Sequence, residues 1–398
     1  MRTRRAFLRE VAAASAGAFV LGGASLRGAI LRDEESNSKK SHGEALAGAE
    51  PVPQAGPAGK RRQIKIGGRR VKTVDVHTHG FVPEVTALVA GTILEKPADA
   101  GARQLGGSGT TSPETIPVGP GRVNKMDRDG VDVQAISINP FWYGADRDLV
   151  SRLIDLQNQK LAAMCAMYPD RFVAFATVAL QFPDLAAQQL EEGMKHFGLR
   201  GAGIGGNVEG QELSSAKFDP FWAKAEELQA LIFMHPQDAA VATGIRNRVQ
   251  GSGALANVIG NPLETSLFIA HLIFDGTLDK FPNLKICCAH GGGFLPSYAA
   301  RMDHGCLVFP DQCKTTIQKR PSEYLKQLYF DSLVYTPEAL RHLAAVCGPG
   351  QLVIGTDSPI PWVPDSAVDP ILETASFSDA EKTAIAGGTA CKLLGIPT

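Results

Sequence analysis

No Cys-x-x-Cys pair occurs in the 398 residues, which excludes a zinc ribbon and a thioredoxin-type redox motif. Seven cysteines are too few for a disulfide scaffold in so long a chain, and their odd number leaves at least one thiol unpaired in a monomer. They read as small buried hydrophobes, with Cys306 and Cys313 the pair nearest in sequence that could bridge. An excess of charge is missing too. The 40 Lys/Arg against 41 Asp/Glu give a net charge of −1, so nothing draws the protein to nucleic acid or an acidic lipid surface. No Gly-x-Gly-x-x-Gly follows the first apolar strand, which disfavours a dinucleotide-binding open sheet.

The near-neutral total is an average over two unlike parts. Residues 1–62 hold 11 Lys/Arg and 6 Asp/Glu, which leaves 29 against 35 for the rest. The chain opens Thr3-Arg4-Arg5-Ala6-Phe7-Leu8-Arg9 and then runs apolar from Val11 to Ala24. A twin arginine before a small-residue-rich apolar run is the pattern of a twin-arginine export signal. The run is shorter than the ~20 residues of a membrane span. Residues 1–32 are therefore expected to be a signal segment, with a periplasmic or extracellular destination and no membrane span in the mature protein. A basic amphipathic N-terminus of a cytosolic protein is the competing reading. Residues 33–63, charged and rich in Pro, Gly and Ala without periodicity, read as a disordered linker.

From residue 64 to 398 short apolar runs alternate with helical patterns. The strands are predicted at 71–77, 132–138, 172–178, 199–204, 230–235, 284–290, 327–331 and 351–357. Helices are predicted at 146–168, 184–197, 218–229, 264–279, 292–304 and 337–347. Eight such repeats predict an α/β fold, a (β/α)8 TIM barrel, as one domain. Residues 80–120, rich in Gly, Thr, Ser and Pro, interrupt the alternation after the first strand. A loop this long inside a barrel is usually a lid or a subunit contact; a tolerated surface insertion is the alternative.

Ionisable residues fall where a barrel builds its active site. His77 and His79 are two apart on an extended segment, so their side chains share a face. His235, His290 and Asp357 end the fifth, sixth and eighth apolar runs. Singly, a histidine in such a run is more often a packed core residue. Together, at the carboxyl ends of strands, they form one rim. Neutral imidazoles with a carboxylate suit one divalent metal, Zn²⁺ first and Mn²⁺ or Fe²⁺ as alternatives, with no organic cofactor.

Four segments carry a family resemblance: Val74-Asp75-Val76-His77-Thr78-His79, Phe233-Met234-His235-Pro236, Cys288-Ala289-His290-Gly291-Gly292-Gly293 and Ile354-Gly355-Thr356-Asp357-Ser358-Pro359. They resemble the strand-end motifs of the amidohydrolase superfamily. The branch they are most similar to lies around 2-amino-3-carboxymuconate-6-semialdehyde decarboxylase and related aromatic-acid decarboxylases. The likeness runs on through residues 126–132 and 279–285 and covers roughly residues 72–396. It implies that His77, His79, His235 and Asp357 bind one metal. It also implies that His290 stays off the metal and handles protons, and that Arg301 reaches a substrate carboxylate, in the decarboxylase from the neighbouring subunit of a homodimer. A helix-surface salt bridge is the alternative for Arg301. The bridging lysine of two-metal members has no counterpart in residues 199–207, which implies a mononuclear site.

The sequence also departs from that decarboxylase. Gln237 stands where the branch has Trp, Ser358 where it has Tyr, and Ile360 where it has an aromatic. Arg103 and Arg122 are the only arginines near the family's second substrate arginine, and neither fits its motif. Phe141, Trp142 and Tyr143 could replace part of an aromatic wall, although core or interface packing is the favoured reading. The implied function is a metal-dependent carboxy-lyase acting on an aromatic or unsaturated carboxylic acid, with His290 and Asp357 catalytic and a small carboxylate as partner. A metal-dependent hydrolase or hydratase is the alternative, and a non-catalytic secreted metal-binding protein a minor one.

Overall fold

A computed structural model describes residues 61–105, 118–237, 248–313, 317–360, 362 and 364–398. Residues 1–32, expected to be an export signal, nearly all of 33–63, expected to be a linker, and part of the insertion 80–120 lie outside the described residues. All eight predicted strands form: β1 (Val74–His79), β2 (Val133–Ser137), β3 (Phe172–Ala174), β4 (Ala202–Ile204), β5 (Leu231–Met234), β6 (Lys285–Cys288), β7 (Tyr329–Asp331) and β8 (Leu352–Ser358). They pair in parallel in the order β3-β2-β1-β8-β7-β6-β5-β4. A parallel bridge from Ala176 to Ala202 joins the two ends; Ala176 N donates to Gly201 O and Gly203 N to Ala176 O. The sheet thus closes into a (β/α)8 barrel.

Closure depends on a missing side chain. Gly201 has φ +113°, and a Cβ there would lie 1.9 Å from Leu231 O, the neighbouring strand's backbone. Inside the ring, Val74, Val76, Ala135, Phe233, Cys287 and Val353 form one apolar cluster, and Ala390, Leu393 and Leu394 of the last helix extend it. The larger cluster lies between the strands' outer faces and the helices. Fully burying one such aliphatic or aromatic side chain is worth about 1.5–3 kcal/mol. Trp142 belongs to it, fully buried with its indole N–H on Val178 O, and Tyr143 is buried beside it.

Two predicted helices and the insertion came out differently. The helix predicted at 292–304 begins only with a short turn at Pro296–Tyr298 and continues as Ala299–Val308. Gly291, Gly292 and Gly293 sit at φ +60°, +79° and +66° and hold a tight turn instead. The helix at 264–279 runs Asn261–Phe274 and breaks at Gly276, at φ +81°, before a short Thr277–Lys280 turn. The insertion contains helices Val85–Val89 and Glu95–Gln104. Val85, Val89, Leu94 and Ala98 pack into the core and supply the stability that their composition conceals.

Candidate metal centre

Each strand delivers its polar residue at the carboxyl-terminal rim. His77 and His79 lie on β1, His235 follows β5, and Asp357 lies on β8. One ligand atom from each of the four lies within 4.8 Å of the others, and all four residues are buried. The three imidazoles converge on one oxygen: Asp357 Oδ1 is 3.2 Å from His77 Nε2, 2.7 Å from His79 Nε2 and 3.8 Å from His235 Nε2. His290 faces the other oxygen, with Nε2 3.8 Å from Asp357 Oδ2. The structure therefore brings together all five residues singled out at the rim, with the His290 ring 5.1 Å from that of His77 and 5.2 Å from that of His235 but facing the other carboxylate oxygen.

Several buried nitrogens there have no hydrogen-bond partner among the described residues: His77 Nε2 and both ring nitrogens of His235. A buried polar atom without a partner is costly. The Nε2 atoms of His77, His79 and His235 and the Asp357 carboxylate, gathered at one spot, satisfy one another through a cation, so the residues fit a divalent metal. The electrostatics agree. Burial, then the charges of His79, His77 and His290, hold the His235 imidazole well below its usual range, which keeps it neutral and ligating. Burial likewise lowers His79. Burial opposes ionisation of Asp357, yet His77, His290 and His79 hold its carboxyl well below the usual carboxylate range. His77 differs. Burial disfavours its cation, but Asp357 and Asp331 outweigh burial and raise it to about 10 in the metal-free site.

Asp331 is the residue that sequence reasoning missed. It ends β7, fully buried, and its Oδ2 accepts from His77 Nδ1 at 2.6 Å and His290 N at 2.9 Å. Its Oδ1 accepts from Gly291 N at 2.9 Å and Leu333 N at 3.1 Å. A carboxylate on Nδ1 fixes the tautomer that leaves Nε2 free for the metal. The signal was present: Asp331 ends a strand like the other five. Gly355 permits the contact, because a Cβ there would lie 2.6 Å from Asp331 Cβ and 2.9 Å from His77 Cβ. Beneath the ligands, Asp75 accepts from Thr356 Oγ1 and Gln134 Nε2, and burial raises its carboxyl to about 7. Arg122 is buried there, donating to Gln134 Oε1 and His79 O, and so supports β1 rather than a substrate.

Arg301 is exposed on helix Ala299–Val308, and its side chain makes no ion pair or hydrogen bond among the described residues. Arg103 is exposed as well. Gln237 is fixed by its backbone, whose N–H donates to Glu264 Oε2 at 3.1 Å. Glu264, also missed, is buried in helix Asn261–Phe274 and accepts from Gly206 N and Asn207 Nδ2 too. It ties the loops after β4 and β5 together, and burial raises its carboxyl to about 8. Cys306 and Cys313 form a disulfide; the other five cysteines are free.

The amidohydrolase family profile matches residues 74–396. The chain belongs to the amidohydrolase family. Among relatives, it is 33% identical over 280 residues to a 2-amino-3-carboxymuconate-6-semialdehyde decarboxylase of Dictyostelium discoideum, covering 69% of this chain and 76% of the relative. Over 287 residues it is 27% identical to a gamma-resorcylate decarboxylase of Polaromonas sp., covering 68% of this chain and 86% of that protein. Among solved structures, a 5-carboxyvanillate decarboxylase from Sphingomonas paucimobilis superposes with a TM-score of 0.71 at 24% identity, covering 82% of this chain and all of the other. A Polaromonas dihydroxybenzoic acid decarboxylase with bound manganese and 2-nitroresorcinol gives 0.66 at 24%, covering 82% and 97%. The amidohydrolase family's fold is the barrel described above.

Proposed function

We propose that this protein is a metal-dependent carboxy-lyase acting on an aromatic or unsaturated carboxylic acid. The observation that carries the reading is the division of labour at Asp357: three imidazoles on Oδ1, His290 on Oδ2. The names of the relatives from Dictyostelium and Polaromonas support the reaction class. His77, His79, His235 and Asp357 would hold one divalent ion. Bound there, it would act as a Lewis acid and draw electron density from the substrate. The donor set favours zinc first, and the manganese of the Polaromonas structure makes manganese the competitor.

Decarboxylation breaks the bond between the carboxyl carbon and its neighbour. The electron pair stays on that neighbour and takes up a proton as CO₂ leaves. His290 would deliver the proton, a role supported by Asp357 Oδ2 facing its Nε2 and by Asp331 holding its backbone. Arg301 is proposed to bind a substrate carboxylate from a second copy of the chain. Phe294, Tyr298, Leu307, Val308 and Phe309 leave an exposed apolar face on the same stretch, which suits a homodimer. Export through the twin-arginine route, as folded barrel 64–398 behind a signal and linker, is also proposed. The Cys306–Cys313 disulfide supports an oxidising destination, and no described helix is long and apolar enough to cross a membrane.

The test is a panel of aromatic carboxylates scored for CO₂ release beside lactones and amides, with the protein loaded with zinc or manganese. Release from an aromatic acid upholds the reading; turnover confined to lactones or amides overturns it. Light scattering on the wild type and Leu307→Asp tests the dimer.

A further inference from the structure

The loop after β7 carries a residue whose conformation the metal ligands alone do not require. Tyr335 has φ +65°, a left-handed backbone that a bulky side chain avoids. Among the described residues the other non-glycine positions at positive φ include only two in the site, His290 at +56° and Asp357 at +63°. Strained residues of this kind cluster where structure serves function. Tyr335 follows Asp331 by four residues, and the chain between them is pinned. Leu333 N donates to Asp331 Oδ1, Val334 N to Ser332 O and Thr336 N to Val334 O. Val334 packs against the His290 turn, where a Cβ on Gly291 would lie 2.5 Å from its Cγ1.

The strained backbone delivers the Tyr335 ring to the loop after β8. Its hydroxyl donates to Trp362 O at 3.1 Å, five residues beyond the ligand Asp357. Both rings are open to solvent: Tyr335 is 54% exposed and Trp362 36%, whereas Trp142 and Trp222 are buried. Two exposed aromatics, joined through the Trp362 backbone carbonyl, stand on the loops that follow strands β7 and β8 and give that part of the rim an aromatic edge. Such an edge recognises a planar ring, by its face, better than a puckered one of equal charge. Partial burial, with the nearby charges of Asp357 and Asp331, raises the phenol to about 12, so it stays neutral and does not repel an anionic ring.

We propose that Tyr335 and Trp362 form an aromatic clamp at the mouth of the metal centre, with Tyr335 the residue that selects planar carboxylates over puckered ones. The clamp rests on the carboxy-lyase reading for the identity of its ring as substrate. The probes are benzoate and cyclohexanecarboxylate, alike in charge and size, titrated calorimetrically into the metal-loaded full-length protein. The wild type prefers benzoate by about three- to ten-fold, and Tyr335→Ala and Trp362→Ala each bring that preference close to one. Tyr335→Gly separates a clamp from a structural prop: it relieves the left-handed backbone, so it melts no lower than wild type while losing the preference. A preference retained in Tyr335→Ala and Trp362→Ala overturns the clamp, as does a wild type that binds the two probes equally. CO₂ release is scored apart. A benzoate preference that depends on Tyr335, without CO₂ from any aromatic acid, sinks the carboxy-lyase reading and upholds the clamp; CO₂ release with an unaltered preference in Tyr335→Ala sinks the clamp alone.

Discussion

Asp331→Asn changes one atom of a fully buried side chain and should damage the protein in one of two distinguishable ways. The carboxylate accepts four hydrogen bonds, His77 Nδ1 and His290 N on Oδ2, and Gly291 N and Leu333 N on Oδ1. An amide has one acceptor oxygen and one NH₂ that can only donate. With the NH₂ at the Oδ1 position, Gly291 N and Leu333 N lose their acceptor. Each orphaned buried donor costs about 1–3 kcal/mol, so the variant loses about 2–6 kcal/mol. That is a large share of the roughly 5–15 kcal/mol that holds a domain folded. With the NH₂ at the Oδ2 position, His290 N is orphaned and His77 must turn to the other tautomer, Nδ1 accepting and Nε2 protonated. Stability then falls by only about 1–3 kcal/mol, but His77 no longer offers a lone pair, and metal affinity drops about 10- to 100-fold. Denaturant unfolding of the metal-free variant reads the first outcome, and competition with a chromophoric chelator reads the second. A variant that unfolds within 0.5 kcal/mol of wild type and binds metal within two-fold would refute the role given to Asp331.

Alkaline pH should destabilise the metal-free protein and spare the metal-loaded one. His77, raised to about 10, contributes stability that is fully present below its unfolded value near 6.5 and lost as pH rises through 10. Asp75 and Glu264, raised to about 7 and about 8, work in the same direction, because ionising them above the unfolded carboxylate range is penalised. Melting temperatures at pH 6.5 and 9.5 should therefore separate by more without metal than with it; equal separations would be the contrary result. His290→Ala should retain one metal per chain by elemental analysis and lose CO₂ release by at least ~100-fold, the usual weight of a general acid; surviving turnover would remove its proton role. Gly201→Ala, whose Cβ would lie 1.9 Å from Leu231 O, should lose about 3 kcal/mol or more, while Gly203→Ala, with 3.4 Å to its nearest atom, should be mild. Matching unfolding curves for the two would show that the barrel closes with slack at Gly201.

The parts of this protein that could be read before its structure are those whose residue types are dictated locally. Eight apolar runs of strand length, each bounded by turn residues, forecast the barrel because a strand's composition reflects its own burial. His77, His79, His235, His290 and Asp357 stood out because metal and proton chemistry admits few side chains. Asp331 obeys the same strand-end rule, but a single aspartate closing a run resembles any turn residue until His77 Nδ1 is seen 2.6 Å away. Glu264 sits within a helix, and only the approach of Gly206 and Gln237 gives it a role. The helices at 85–89 and 95–104 were hidden because tertiary packing, not propensity, sustains them.

Backbone handedness was the least legible feature, and for a physical reason. Local preference argues against positive φ at His290, Tyr335 and Asp357 alike. Only surrounding contacts can impose it: Asp331 on the backbone of His290 and Gly291, the turns from Ser332 to Thr336, and Ile360 N folding back onto Asp357 O. Local residue preferences therefore fail where the rim is held by tertiary force. Three strained residues on or just after β6, β7 and β8 mark the arc where the fold gives up local stability to aim side chains, and Tyr335 is the one of the three that neither metal binding nor the proton role given to His290 accounts for.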